Sequence, residues 1–190
     1  MTPIEKSTYN LIRKKLLNLP VPPKFGGQAG RYIEKQIIKL GCPFNKGKGV
    51  DLKFLGWEIK SRDVTSTSAV TLSAMHPLEI ITTPYIQSLV REKSQKILLF
   101  TTKDLKIKNI KFYDLSDSYI QDKLCEAYEH GRKQIICYPD ILYTEYTGFF
   151  GYFENTNKDR SELSFRLSKN DLKNIREMAN PQINKLFSFT

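Results

Sequence analysis

Apolar residues at Ile4, Leu11, Ile12, Leu16 and Leu17 recur at helical spacing, with Lys6, Arg13, Lys14 and Lys15 mostly on the other side. Thr2-Pro3-Ile4-Glu5 supplies the start of that helix: Thr2 as N-cap, Pro3 at the first helical position and Glu5 to close a capping box. Pro20-Val21-Pro22-Pro23 stops it. A second helix follows the flexible entry Gly26-Gly27-Gln28-Ala29-Gly30, with Ile33, Ile37 and Leu40 on one face and Gly41 as its end. It carries Glu34.

Beyond the turn Asn45-Lys46-Gly47-Lys48-Gly49 the pattern becomes extended. Val50 to Leu55 reads as one strand, Gly56 as a bend and Trp57-Glu58-Ile59-Lys60-Ser61 as a second strand. Alternate strand residues share a face, which sets Glu58 and Lys60 on one side and Trp57 and Ile59 on the other. The hydroxyl-rich stretch 62–83 predicts a strand or hairpin with long loops. Thr83-Pro84 opens a short helix bearing Ile86, Leu89 and Val90, and strands are expected at 97–101 and 107–115. Ser116 or Ser118 caps a helix through Ile120, Leu124 and Tyr128 that ends at Gly131, and 135–153 reads as aromatic-rich strand and loop. A strand at 163–167 precedes a last helix capped within 168–171 and stopped before Pro181. Strands and about five helices alternate as in an α/β protein. No repeat or linker divides the chain, so a single domain over 1–190 is expected.

Composition narrows the chemistry. Thirty Lys and Arg against twenty Asp and Glu give a net charge of +10, while 40% hydrophobic and 12% aromatic content excludes a disordered chain. That charge suits a polyanion, and nucleic acid ahead of a membrane surface. No run approaches the roughly 18 apolar residues of a spanning helix, and the N-terminus has no signal-type apolar region. His76 and His130 are the only histidines; Cys42, Cys125 and Cys137 are the only cysteines. They form no CxxC pair or close cluster, which disfavours zinc and histidine-based metal chemistry, and scattered cysteines fit a reducing, cytoplasmic compartment. Hydrolytic chemistry is left to carboxylates and lysines.

One stretch offers it. Asp51 is followed by Glu58-Ile59-Lys60, whose Glu and Lys share a strand face. Hard divalent cations take oxygen ligands, so Asp51, Glu58 and the carbonyl of Ile59 can form a cage for Mg²⁺, with Glu34 as a further ligand directly or through water. Lys60 would orient the attacking water and offset charge on the phosphate. Three Asp-x-Lys runs, at 51–53, 104–106 and 171–173, are decoys: only Glu58-Ile59-Lys60 combines strand alternation with a turn-borne Asp and a helix-borne Glu upstream.

Gly26-Gly27-Gln28-Ala29-Gly30-Arg31-Tyr32-Ile33-Glu34, Asp51 and Gly56-Trp57-Glu58-Ile59-Lys60-Ser61 together resemble the PD-(D/E)xK nuclease superfamily, and within it the MutH/Sau3AI type. The resemblance covers about a quarter of the chain, residues 24–70, and includes the six residues between Asp51 and Glu58. Val50 stands where the superfamily often has proline. The resemblance implies a restriction-endonuclease-like core, a mixed central β-sheet flanked by helices. It implies Asp51 and Glu58 as metal ligands, Lys60 as the catalytic lysine and Glu34 as the accessory acid, with Mg²⁺ as cofactor and Mn²⁺ as substitute. A second functional lysine of the closest relatives has two possible counterparts, Lys93 and Lys96.

The expected substrate is double-stranded DNA, cut by a sequence-specific type II restriction enzyme acting as a homodimer. Alternatives are a monomeric MutH-like nickase, a repair or junction-resolving nuclease and, in another class, a non-catalytic basic DNA-binding module. Lys46, Lys48, Ser61, Arg62 and the run Thr65, Ser66, Thr67, Ser68 are the candidate DNA contacts, to phosphates and base edges. The bland reading of Glu58 and Lys60 is a solvated strand face with an incidental ion pair.

Overall fold

A computed structural model describes residues 1–23, 28–45, 47, 49–64, 69–140, 144, 150–155 and 162–178. The chain is mixed α/β and divides into two compact units, Met1–Thr67 with Lys96–Phe112, and Ser68–Gln95 with Tyr113–Thr190. Among the described residues no helix is long and apolar enough to cross a membrane.

The first unit opens with α1 (Pro3–Leu16), begun by the capping box the sequence encodes: Thr2 Oγ1 accepts from Glu5 N–H, and Glu5 Oε2 accepts from Thr2 N–H. Its buried face differs from the expected stripe. Ile12 and Leu16 are buried, whereas Ile4 and Leu11 are exposed and Glu5 is buried in their stead. The second helix, α2 (Gln28–Lys39), buries Ile33 and Ile37 and ends before Gly41, whose φ of 81° only glycine adopts freely. The strand expected at 50–55 contracts to a single antiparallel bridge, Leu52 to Trp57, closed through Gly56 at φ 66°. From it emerges β1 (Trp57–Asp63), which pairs in parallel with β3 (Lys96–Lys103), Glu58 opposite Ile97 and Lys60 opposite Leu99. A two-residue turn at Asp104 and Leu105, both with positive φ, returns the chain as β4 (Lys106–Asp114), giving the order β1-β3-β4.

Trp57, Ile59, Leu98 and Phe100 share a sheet face by the register and join Ile12, Leu16, Ile33 and Ile37 in one cluster. Each fully buried aliphatic or aromatic chain there contributes about 1.5–3 kcal/mol. Trp57 is the hub: its ring lies 5.1 Å from that of Phe112, and its Nε1–H donates to Glu5 Oε1 at 3.4 Å.

In the second unit, β2 (Val70–Met75) leads to α3 (Pro77–Thr82), a 3₁₀ turn over Tyr85–Gln87 and α4 (Leu89–Lys93). The loop-rich reading of 62–83 did not anticipate α3, whose N-cap is His76 through Nδ1. Helix α5 (Ser118–Cys137) is capped by Asp117, not by Ser116 or Ser118. It also runs past Gly131, the expected stop, and so absorbs the start of the strand expected from 135. The reason is packing: a Cβ on Gly131 would lie 2.7 Å from Phe153 Cδ2, so this glycine admits a ring rather than ending a helix. Strands β5 (Tyr152–Glu154) and β6 (Leu163–Leu167) complete an antiparallel sheet of order β2-β6-β5, and α6 (Lys169–Met178) follows. Tyr128, Phe153 and Phe165 stack in its core with ring centroids 5.0–5.9 Å apart.

Candidate active site

The site is built on β1. Period-two alternation sends Trp57, Ile59 and Ser61 to the core side and Glu58, Lys60 and Arg62 to the other. The turn before β1 brings Asp51 back alongside it, because the paired hydrogen bonds between Leu52 and Trp57 fix the register: Leu52 N–H to Trp57 C=O at 2.9 Å and Trp57 N–H to Leu52 C=O at 3.2 Å. Two residues along the same strand edge, Ile59 N–H donates to Asp51 Oδ2 at 2.7 Å. A carboxylate thus takes the place of the next ladder carbonyl. Since the N–H and C=O of a strand residue emerge on one edge, the Ile59 carbonyl is on the edge that Asp51 occupies.

Glu58 is only 1% exposed. It is therefore not the solvated side chain of the bland reading. Its Oε1 accepts from Lys60 Nζ at 2.7 Å, an ion pair in which Lys60 keeps limited solvent contact. Holding a carboxylate out of water is costly, and the neighbouring ammonium offsets that cost without making the pair a net source of stability. Asp51, held at the Ile59 amide, and Glu58 are thus placed by adjacent positions of β1, with Lys60 beside the Glu58 carboxylate and the Ile59 carbonyl on the edge that Asp51 occupies.

No family model matches this chain, and no curated protein matches it.

Helix α2 packs against the core side of β1: a Cβ on Gly30 would stand 3.4 Å from Ser61 Oγ, and Ile33 and Ile37 share a cluster with Trp57 and Ile59. Glu34, one turn beyond Gly30 and half-buried, belongs to the helix on the side opposite Glu58 and Lys60. Among the described residues no group of three or more His, Cys, Asp or Glu side chains is gathered to hold a metal ion. Two carboxylates nonetheless suit Mg²⁺, which keeps several waters and is commonly held by one or two protein carboxylates with substrate phosphate. The donor set of Asp51, Glu58 and the Ile59 carbonyl is all hard oxygen and fits that ion.

Of the candidate DNA contacts, Arg62 shares the face of Glu58 and Lys60, and Ser61 lies under α2 on the other. Lys46, Lys48, Thr65, Ser66, Thr67 and Ser68 are outside the described residues. Lys96 is engaged elsewhere: its Nζ donates to Glu5 Oε1 at 2.7 Å. Burial pushes the Glu5 carboxyl up, but the hydrogen bonds from Lys96, Thr2 and Trp57, with the Lys96 charge, outweigh it and hold the group at about 2. Lys93 lies on α4 of the second unit. The support that Glu5 gives Trp57, immediately before Glu58, was not visible in the sequence beyond the capping box, since the partners are 52 and 91 residues away. Burial also raises the thiols of Cys42 and Cys125, which fits structural roles for both.

Proposed function

We propose that this chain is a Mg²⁺-dependent endonuclease that hydrolyses phosphodiester bonds of double-stranded DNA, leaving 5′-phosphate and 3′-hydroxyl ends, and serves as a sequence-specific type II restriction enzyme. The observation that carries the reading is the buried Glu58–Lys60 pair on one face of β1 with Asp51 anchored 2.7 Å from the Ile59 amide at its edge. Short motifs match by chance, but a solvent-facing accident does not bury a carboxylate beside a lysine and fix a second carboxylate by a backbone hydrogen bond. The first unit, with α2, the Leu52–Trp57 turn, β1 and the parallel β3, is read as the restriction-endonuclease-like core.

Asp51 and Glu58, with the Ile59 carbonyl, would hold Mg²⁺, and Mn²⁺ in its place. The ion supplies Lewis-acid stabilisation of charge on the phosphate. Lys60 holds the attacking water by its ammonium and stabilises developing negative charge; Glu34 acts as an accessory acid through water. The net charge of +10 draws the polyanion to a site that is itself acidic. A twofold homodimer suits a palindromic target cut on both strands.

Supercoiled plasmid incubated with the protein and Mg²⁺, followed by mapping of the ends, tests the proposal. Discrete linear fragments with 5′-phosphates are expected. Nicked circles alone would assign a monomeric nickase, and a mixture of non-specific or junction-directed cuts a repair enzyme. Binding without cleavage at any divalent ion would leave a basic DNA-binding module and overturn the nuclease reading.

A further inference from the structure

The Glu58–Lys60 face of β1 continues one position further, to Arg62. Its guanidinium is unlike the other basic groups described in this unit. Nε and Nη1 are both buried, and neither donates a hydrogen bond to any described residue. The guanidinium also makes no ion pair among the described residues, whereas Lys60 is bound to Glu58 and Lys96 to Glu5. The Arg62 backbone, by contrast, is engaged: it lies opposite Thr101 in the sheet, and its carbonyl accepts from Thr102 Oγ1 at 3.3 Å. The side chain is therefore held by a rigid strand, with donor groups withdrawn from water and unfilled. Arginine cannot shed its proton to relieve such a position, so the charge persists. A persistent positive charge whose buried donors are empty is the complement of an oxyanion.

We propose that Arg62 is a phosphate-binding residue of the site, gripping the non-bridging oxygens of a DNA phosphate next to the one that faces Lys60. The proposal rests on the nuclease reading for its DNA ligand, but not for the anion site itself. Two strand residues advance about 6.6 Å from Lys60 to Arg62, close to the separation of successive phosphates along one DNA strand. One face of β1 then reads acid, lysine, arginine: a cation-holding carboxylate, a group for the water and an anchor that fixes the register of the backbone. A contact of this kind positions the substrate and carries no sequence information.

Duplex binding with Ca²⁺ in place of Mg²⁺, followed by fluorescence anisotropy over a range of salt concentrations, tests the DNA contact. Each phosphate contact contributes about 0.9 to the slope of log K against log salt. Arg62→Gln is expected to flatten the slope by about 0.9, equivalent to about a fivefold loss of affinity at 0.15 M salt relative to a 1 M reference. The loss should be equal on unrelated sequences. Arg62→Lys, which keeps the charge without the fork, should retain the slope, and circular dichroism of both variants reads folding separately. An unchanged slope in Arg62→Gln, or a loss confined to one sequence, would mean no phosphate contact or a base contact, and overturns the proposal.

Titration with inorganic phosphate while following the arginine Nε–H resonances by NMR separates the two readings. A saturable shift of one resonance that is absent in Arg62→Lys is expected. If that shift occurs while the wild-type protein binds no duplex, the DNA reading fails and the anion site stands. If neither phosphate nor duplex engages Arg62, the anion site is refuted whatever the protein cleaves.

Discussion

Replacing Glu5 by Gln preserves the shape of the side chain and removes its charge, at a place where three donors converge. Thr2 N–H approaches Oε2 at 2.6 Å, while Lys96 Nζ and Trp57 Nε1–H approach Oε1 at 2.7 and 3.4 Å. An amide has one acceptor oxygen, so its NH₂ must face either the Thr2 amide or the Lys96 and Trp57 donors. Hydrogen bonds to charged groups contribute about 1.5–3 kcal/mol each, and Lys96, with its side chain 26% exposed, can turn partly to water once its partner is neutral. A net loss of about 2 kcal/mol is expected. For a chain of this size that lowers Tm by about 4–8 °C. The pH dependence is the more searching readout. The folded-state carboxyl is depressed from 4.5 to about 2, so its contribution is present above pH 4.5 and fades as pH falls towards 2. Urea unfolding of wild type and Glu5→Gln should therefore show the full difference at pH 7 and a shrinking one between pH 4.5 and 2. Equal stabilities at pH 7, or a difference that persists unchanged at pH 2, would refute the assignment of Glu5 as the ionised anchor of Trp57.

Gly151→Ala should destabilise the second unit by more than 2 kcal/mol in urea unfolding, because φ is 101° and a Cβ would lie 2.5 Å from Phe165 Cζ. Leu105→Gly relieves a leucine at φ 54° in the β3–β4 turn, and a gain of about 1 kcal/mol in the same assay is expected. Burial, partly offset by the Ser94 hydrogen bond, raises the Tyr85 hydroxyl from 10.0 to about 12. The stability it confers is complete below pH 10 and is lost as pH rises through 12; Tyr85→Phe should show a smaller alkaline loss in that window.

The parts of the fold that depend on neighbours in sequence were legible: the Thr2–Glu5 box, the period of Ile33 and Ile37, and the alternation that sets Glu58 and Lys60 on one face. The parts that depend on distant contacts were not. Gly131 resembles a helix stop until Phe153 is seen beside it, and Glu5 resembles a cap alone until Lys96 and Trp57 close on it. Ile4 and Leu11 fit a helical stripe, yet the cluster around Trp57 takes Ile12 and Leu16. Within the candidate site, the shared strand face of Glu58 and Lys60 was legible but not how Asp51 is held, since a side chain replacing a ladder carbonyl has no sequence period. Glu34 shows the same limit: the apolar period of its helix, Ile33 and Ile37, was legible, but not that this helix packs on the side of β1 that carries Trp57 and Ile59.

The most direct test of the account is single-turnover cleavage of supercoiled plasmid with and without Mg²⁺ by the wild type, Glu58→Gln and Lys60→Ala, with folding followed by circular dichroism. Wild-type cleavage that requires the metal is expected to fall by about 10²–10⁴-fold in Lys60→Ala, and at least as far in Glu58→Gln, in proteins that remain folded and still bind duplex. Cleavage that is undiminished in either variant, or that proceeds without a divalent ion, would contradict it.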